Sequence, residues 1–199
     1  MTRTETTEST ADAARRMRIL EGARQAFLAY GFQRTTMDDI ARAAEISRPA
    51  LYLMFRNKTD IYRALAAGHT EEMIDTARAA LSGEGSLAER LEQSFDCILT
   101  ITAEIEASPH GHELLDMKNS LAGEIIVEWC GRMVELVEDA IEQERARGRS
   151  GQPSGAPARL LAEMLLDAME GLKTRQLPLD DQRETTRAFI RVIAEAAER

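Results

Sequence analysis

The chain has 199 residues, 44% of them hydrophobic and only 5% aromatic, with a formal net charge of −9. That is enough material for one compact domain plus a small one, and its Ala, Leu, Glu and Arg content with little alternating pattern predicts an all-α fold of about nine helices. No apolar run approaches the ~20 residues of a membrane span, and the polar start "MTRTETTESTADAARR" holds no apolar secretion segment, so a cytoplasmic protein with no membrane partner is expected.

The charge is unevenly spread. Residues 1–63 carry 11 Lys and Arg against 8 Asp and Glu, a balance of +3, which leaves −12 for the remainder. Phosphate binding responds to charge within roughly a Debye length of ~8–10 Å, so an acidic body elsewhere does not exclude a nucleic-acid partner. Cys97 and Cys130 stand alone, with no metal-type spacing. They read as small buried hydrophobes, with a redox-sensing pair as the alternative.

In chain order, the Thr- and Glu-rich residues 1–12 are too polar to pack and read as a disordered arm. A first helix follows from about Ala13 to Tyr30, with Ile19, Ala23, Ala26 and Phe27 on one face and Gly31 as its C-cap. Thr36 and Asp39 form a capping box ahead of Met37, Ile40, Ala41 and Ala44, one helical face. Ser47 is the next N-cap, and Pro49 is tolerated only in a first turn, so another short helix starts there. Glu45 and Ile46 alone separate the two. Ile46, Leu51 and Phe55 can therefore meet Ile40 and Ala44 in one small core, holding the second helix at an angle to the first. Its other face, Arg48, Pro49, Ala50, Tyr52 and Leu53, lacks a full apolar stripe and is expected to meet solvent or a partner. Asn57 then caps a helix running to about Leu81, with Asp60 completing the box and Lys58 at the positive N-terminus, where phosphate oxygens bind well.

"SGEG" at 82–85 ends that helix, and Ser86 with Glu89 opens another through Ile105, with Leu87, Leu91, Phe95, Ile98 and Ile105 on its face. Ser108 and Pro109 begin a short segment. A long helix from about Leu121 to Arg147 turns Ile126, Trp129, Cys130, Met133, Val137 and Ile141 inward. "GRSGQPSGAP" at 148–157 reads as a flexible loop, and helices of roughly 158–174 and 180–198 close the chain. The first of these is apolar over more than one stripe (Leu160, Leu161, Met164, Leu165, Ala168, Met169 and Leu172), which suggests one surface for the body and another for a second subunit.

The stretch from Arg16 to Leu65, centred on "RTTMDDIARAAEISRPALYLMFRNKTDI", resembles the helix-turn-helix DNA-binding domain of TetR-type transcriptional repressors. Two residues depart from the family's usual pattern: Glu45 stands where Gly is common in the turn, and Met54 where His or Tyr is common. The resemblance divides the chain into the arm (1–12), a DNA-binding domain (13–63) and a helical ligand-binding and dimerisation domain (64–199). It implies a homodimer on a palindromic double-stranded operator in the bacterial cytoplasm or nucleoid, acting as a repressor released by a small apolar or amphipathic inducer. Arg48 would read a base edge; Pro49 and Tyr52 would touch thymine methyls or sugars, with Ser47, Ala50 and Leu53 on the same surface; Thr36 and Lys58 would hold phosphates.

Less local expectations follow from the same resemblance. Cys97, Ile101, Met117, Ile125, Trp129 and Met133 would line a ligand chamber, although a solid core explains the same residues. Leu161, Leu165, Ala168, Met169, Leu172, Phe189, Ile190 and Ile193 would form the dimer interface. His110, Gly111, His112, Glu113 and Asp116 resemble a metal or acid–base cluster, but His-x-His lacks a third ligand at fixed spacing, and the polar face of a short helix explains them as well. No nucleophile elbow, phosphate loop or zinc motif is present, so neither an enzyme nor a cofactor is expected. A ligand-independent architectural or nucleoid-associated DNA-binding protein is the alternative from a different class.

Overall fold

A computed structural model of the chain describes residues 3–116, 118–147, 155–173, 175 and 177–197. Among them are nine α-helices: α1 (Arg3–Tyr30), α2 (Met37–Ala43), α3 (Arg48–Met54), α4 (Lys58–Leu81), α5 (Leu87–Glu106), α6 (Gly111–Asp116), α7 (Lys118–Arg147), α8 (Ala158–Lys173) and α9 (Leu179–Ala197). None is long and apolar enough to cross a membrane. The all-α class is as expected. The start of α1 is not: it lies ten residues ahead of Ala13, so residues 3–12 are helical where an arm was expected. No Gly or Pro interrupts that stretch, and a helix already nucleated extends at little further cost. The loop expected at 148–157 falls largely outside the described residues.

The chain divides into two compact units, Met1–His69 with Glu104–Ile125, and Thr70–Ala103 with Ile126–Arg199. The boundary expected at 63/64 therefore omits α6 and the start of α7, which group with the N-terminal helices. Unit 1 is built on Ile19, Ala23 and Phe27 of α1, Ile40 and Ala41 of α2, Leu51 of α3, Phe32, Phe55, Ile61, Tyr62 and Ala122, all buried. Ala122 is also a kink inside α7, with φ −135° and ψ 25°. Near it Arg63 donates to the carbonyl of Leu121 at 3.2 Å and to the Glu124 carboxylate at 2.6 Å.

The second unit is a helical body whose core draws on α4, α5, α7, α8 and α9. Its α5 begins with the expected box, in which Ser86 Oγ accepts from the Glu89 N–H and the Glu89 carboxylate accepts from the Ser86 N–H. Arg90, fully buried, donates to the Leu81 carbonyl at 2.7 Å and to Glu144 at 2.5 Å. Arg183 of α9 binds Asp96 of α5 at 2.6 Å and the Thr100 hydroxyl at 2.9 Å.

Within the body, α8 buries Leu161, Leu165, Met169 and Leu172, and α9 buries Ile190 and Ile193. Those six residues, expected at a dimer interface, belong to the protomer's own core. Two adjacent rows of α8 are apolar, so composition cannot say which of them faces inward. The neighbouring row is the exposed one: Leu160 and Met164 on α8, with Val192 on α9, are 46%, 51% and 66% exposed. Ala168 and Phe189 are half-buried.

Candidate nucleic-acid interface

The geometry of α2 and α3 follows from their caps. Thr36 sits at φ −107°, ψ 163°, its hydroxyl accepting from the Asp39 N–H while Asp39 reaches back to the Thr36 N–H, the complete box that the sequence predicts. Ser47 caps α3 by accepting from the Ala50 N–H at 3.3 Å, with Pro49 in the first turn. Between the helices Ala44 ends α2 and Glu45 adopts φ 54°. The turn thus keeps the left-handed geometry that favours glycine, although a side chain is present, at a cost of ~1–2 kcal/mol. Ile46 then returns its N–H to the Ala41 carbonyl at 3.0 Å. Ile40, Ala44, Leu51 and Phe55 are buried together and Ile46 packs against them, so α3 is fixed on α2 as the spacing predicts.

Behind this pair lies α1. A Cβ on Gly22 would stand 2.7 Å from the Ala44 nitrogen, so only glycine lets the end of α2 come this close. Arg16 stacks on the Phe55 ring with its guanidinium carbon 4.8 Å from the centroid, a cation–π contact at the end of α3. The turn after α1 starts at Gly31, φ 81°. Glu113 of α6 accepts from the Gln33 N–H in that turn at 3.3 Å and pairs with His110 Nδ1 at 3.3 Å. These two members of the cluster singled out in the sequence therefore engage the turn. Among the described residues no three His, Cys, Asp or Glu side chains are arranged to hold a metal ion.

The face of α3 away from the core carries Arg48, Pro49, Tyr52 and Leu53, all exposed, and Leu53 is 88% exposed. Ala50 is half-buried and Ser47 exposed. Arg48 Nη1 lies 3.1 Å from each carboxylate oxygen of Asp38, and its guanidinium carbon is 5.6 Å from the Tyr52 ring centroid. Asp38 was not among the expected residues, because an acid on a nucleic-acid face has no signal in composition. The close apposition of the starts of α2 and α3 was the only clue.

Two expected phosphate ligands are otherwise engaged. Lys58 Nζ donates to the carbonyls of Phe32, Gln33 and Thr35 at 2.8, 3.0 and 3.2 Å and lies 4.6 Å from the Phe32 ring centroid. An ammonium has three donors, all used here, so Lys58 fastens the turn before α2. Thr36 donates its single hydroxyl proton to Asp39 at 2.6 Å, which is the first reason the Asp39 carboxyl is held below its ordinary value. The box at Asn57 is half formed: Asn57 accepts from the Asp60 N–H at 2.8 Å, but Asp60 binds Arg56 at 2.9 Å.

Residues 19–65 match the family model "Bacterial regulatory proteins, tetR family". The helix-turn-helix segment of this chain is similar to that of this family. An HTH-type transcriptional repressor of Mycobacterium tuberculosis is 42% identical over 65 residues, 33% of this chain and 35% of that protein. The transcriptional activator FasR of Mycolicibacterium smegmatis is 29% identical over 101 residues, 51% of this chain and 45% of that protein. The match thus spans less than half the length of either relative. Among solved structures, the fatty acid degradation regulator FadR from Bacillus halodurans superposes with a TM-score of 0.66 at 17% identity, covering 88% of this chain and 94% of that one. At such identity the likeness of this chain to FadR is one of fold.

The expected ligand chamber fares differently in each unit. Met133 is fully buried in the body's core, Trp129 packs against that core, and Cys97 and Ile101 are half-buried. Ile125 packs instead into the core of unit 1. Met117 lies outside the described residues. In the body, Trp129 Nε1 and Ser94 Oγ are buried with no hydrogen-bond partner among the described residues.

Proposed function

We propose that this chain is a sequence-specific DNA-binding transcriptional regulator that acts as a homodimeric repressor. The observation that carries the reading is α3 itself, pinned to α2 by a shared core while Arg48, Pro49, Tyr52 and Leu53 are exposed on its outer face. A helix held in this way can enter a major groove, where Arg48 pairs bidentately with guanine and the apolar side chains touch thymine methyls. Ser47, with a hydroxyl proton not committed to its cap, is the proposed phosphate contact beside them. The names of the relatives support regulation of transcription, in one case as a repressor and in another as an activator.

The proposed dimer uses Leu160, Met164 and Val192 with the half-buried Ala168 and Phe189. A two-fold pair presents two copies of α3 to half-sites one helical turn apart, hence a palindromic operator. The proposed inducer is a small apolar or amphipathic molecule with a hydrogen-bond acceptor. Buried Trp129 Nε1 and Ser94 Oγ support that class, since an unpaired buried donor carries a desolvation cost that an incoming acceptor removes. By linkage such a molecule must bind the DNA-free form more tightly.

Fluorescence anisotropy of the full chain on DNA from immediately upstream of its own gene, against a scrambled duplex near physiological salt, tests the reading. Saturable preference for the upstream fragment with two subunits per site is expected. Equal binding to many unrelated duplexes, including genomic fragments, would replace regulation with the architectural role.

A further inference from the structure

Asp38 occupies the first turn of α2 without a capping duty, because Asp39 supplies both capping bonds to Thr36. Its carboxylate faces Arg48, with both oxygens 3.1 Å from Nη1. The two side chains are 51% and 60% exposed. A pair this open to water adds little to folding stability, with a median near ~0–1 kcal/mol. Its effect is on geometry and field. Arg48 is a long side chain at the start of α3, and it is held from two sides by the Asp38 carboxylate and the Tyr52 ring, 5.6 Å from the guanidinium carbon.

A guanidinium carries five N–H donors. Asp38 engages Nη1, so its hold on the guanidinium does not use Nε or Nη2, the edge that would pair with a two-acceptor partner such as guanine O6 and N7. An arginine fixed in this way loses less rotamer entropy on binding that one partner than a free one does. It is also less able to swing toward the nearest phosphate, the sequence-independent alternative. The carboxylate itself repels the DNA backbone wherever the site is not matched.

We propose that Asp38 is a specificity-determining residue that acts through Arg48: it positions the guanidinium for a guanine edge and lowers the affinity of the same face for DNA at large. The inference rests on the reading of α3 as the DNA-contacting helix. Its distinctive consequence is that removing an acid from the binding face strengthens binding to wrong sequences and blurs the right one.

The experiment selects duplexes from a random-sequence DNA library with the full chain, then measures the enriched duplex and a scrambled duplex by anisotropy over a salt series. Wild type is expected to enrich one motif with a fixed guanine, a preference that Arg48→Ala abolishes. Asp38→Asn and Asp38→Ala, checked for unchanged thermal unfolding, are expected to bind the scrambled duplex several-fold tighter and to lose about tenfold of the preference for that guanine. Asp38→Glu keeps the charge and is expected to bind the scrambled duplex as weakly as wild type. In an Arg48→Ala background, Asp38→Asn should still tighten scrambled binding while leaving base preference unmoved. A merely structural pair would shift both duplexes together. Enrichment of the same motif, with the same guanine preference, by wild type and Asp38→Asn overturns the role of Asp38 while leaving the DNA-reading helix intact. Wild type enriching no motif overturns both.

Discussion

Tyr62 donates its phenol to the main-chain carbonyl of Leu114 at 2.6 Å, joining the start of α4 to the last turn of α6 within unit 1. The Leu114 carbonyl is among the last four of α6, which have no partner inside the helix. Tyr62 is itself 7% exposed, and burial pushes its phenol up to about 12. Tyr62→Phe should destabilise the chain by about 1–2 kcal/mol, the cost of a buried acceptor left unpaired, read as a lower urea midpoint with unchanged slope. The pH dependence follows from the same burial. With a folded value above the ordinary 10, the contribution of Tyr62 is fully present below pH 10 and is lost as pH rises through about 12. Wild type should therefore lose more stability than Tyr62→Phe between pH 10 and 12; parallel losses would show that the phenol does not carry this term.

Lys58 gives a sharper separation of roles. If its ammonium fastens the carbonyls of Phe32, Gln33 and Thr35, Lys58→Ala lowers folding stability by about 2 kcal/mol. Lys58→Arg restores little, since a planar fork cannot converge on three carbonyls as a tetrahedral ammonium does. Urea unfolding measures this, and the salt dependence of DNA binding supplies the contrast. A phosphate ligand would reduce the salt slope by about 1 with stability unchanged.

These two contacts mark the limit of what the sequence discloses. The starts of α2, α3 and α5 were legible because each rests on a side chain bonded within three residues, Thr36 with Asp39, Ser47 with Ala50, and Ser86 with Glu89. The bonds of Lys58 cross 23 to 26 residues and that of Tyr62 crosses 52, and no periodicity encodes such a partner. For the same reason α6 could not be assigned to the N-terminal unit. On the candidate surface, Arg48, Pro49, Tyr52 and Leu53 were legible as the side of α3 left over from its core, whereas the Asp38 contact required knowing how the two helix starts meet. On α8 two adjacent apolar rows are present, and periodicity alone does not tell the buried row from the outer one.

Glu45 tests the turn between α2 and α3. At φ 54° an L-residue is strained and glycine is not. Glu45→Gly relieves that strain but also adds freedom to the unfolded chain, worth ~0.4–1 kcal/mol in the opposite direction. A net gain of up to about 1 kcal/mol is expected, seen as a modestly raised urea midpoint. Glu45→Ala keeps the strain and separates it from loss of the charge, so an Ala variant as stable as the Gly variant would assign the gain to charge.

The exposed row on α8 and α9 predicts the oligomer more directly than the buried one. Met164 and Val192 are more than half exposed, so a glutamate at either place leaves the protomer core intact. Buried in a two-fold interface, however, each substitution places two charges in apolar surroundings, one from each subunit, at a cost of several kcal/mol. Met164→Glu combined with Val192→Glu should therefore shift the chain from dimer to monomer in sedimentation velocity while its helical circular dichroism is retained. Leu165→Glu acts on the adjacent row of α8, where the residue is fully buried in the protomer, and should unfold the body outright. A double variant that remains dimeric at micromolar concentration would place the interface elsewhere. Loss of helicity in that variant would instead show that the row between the buried stripes of α8 and α9 already belongs to the protomer core.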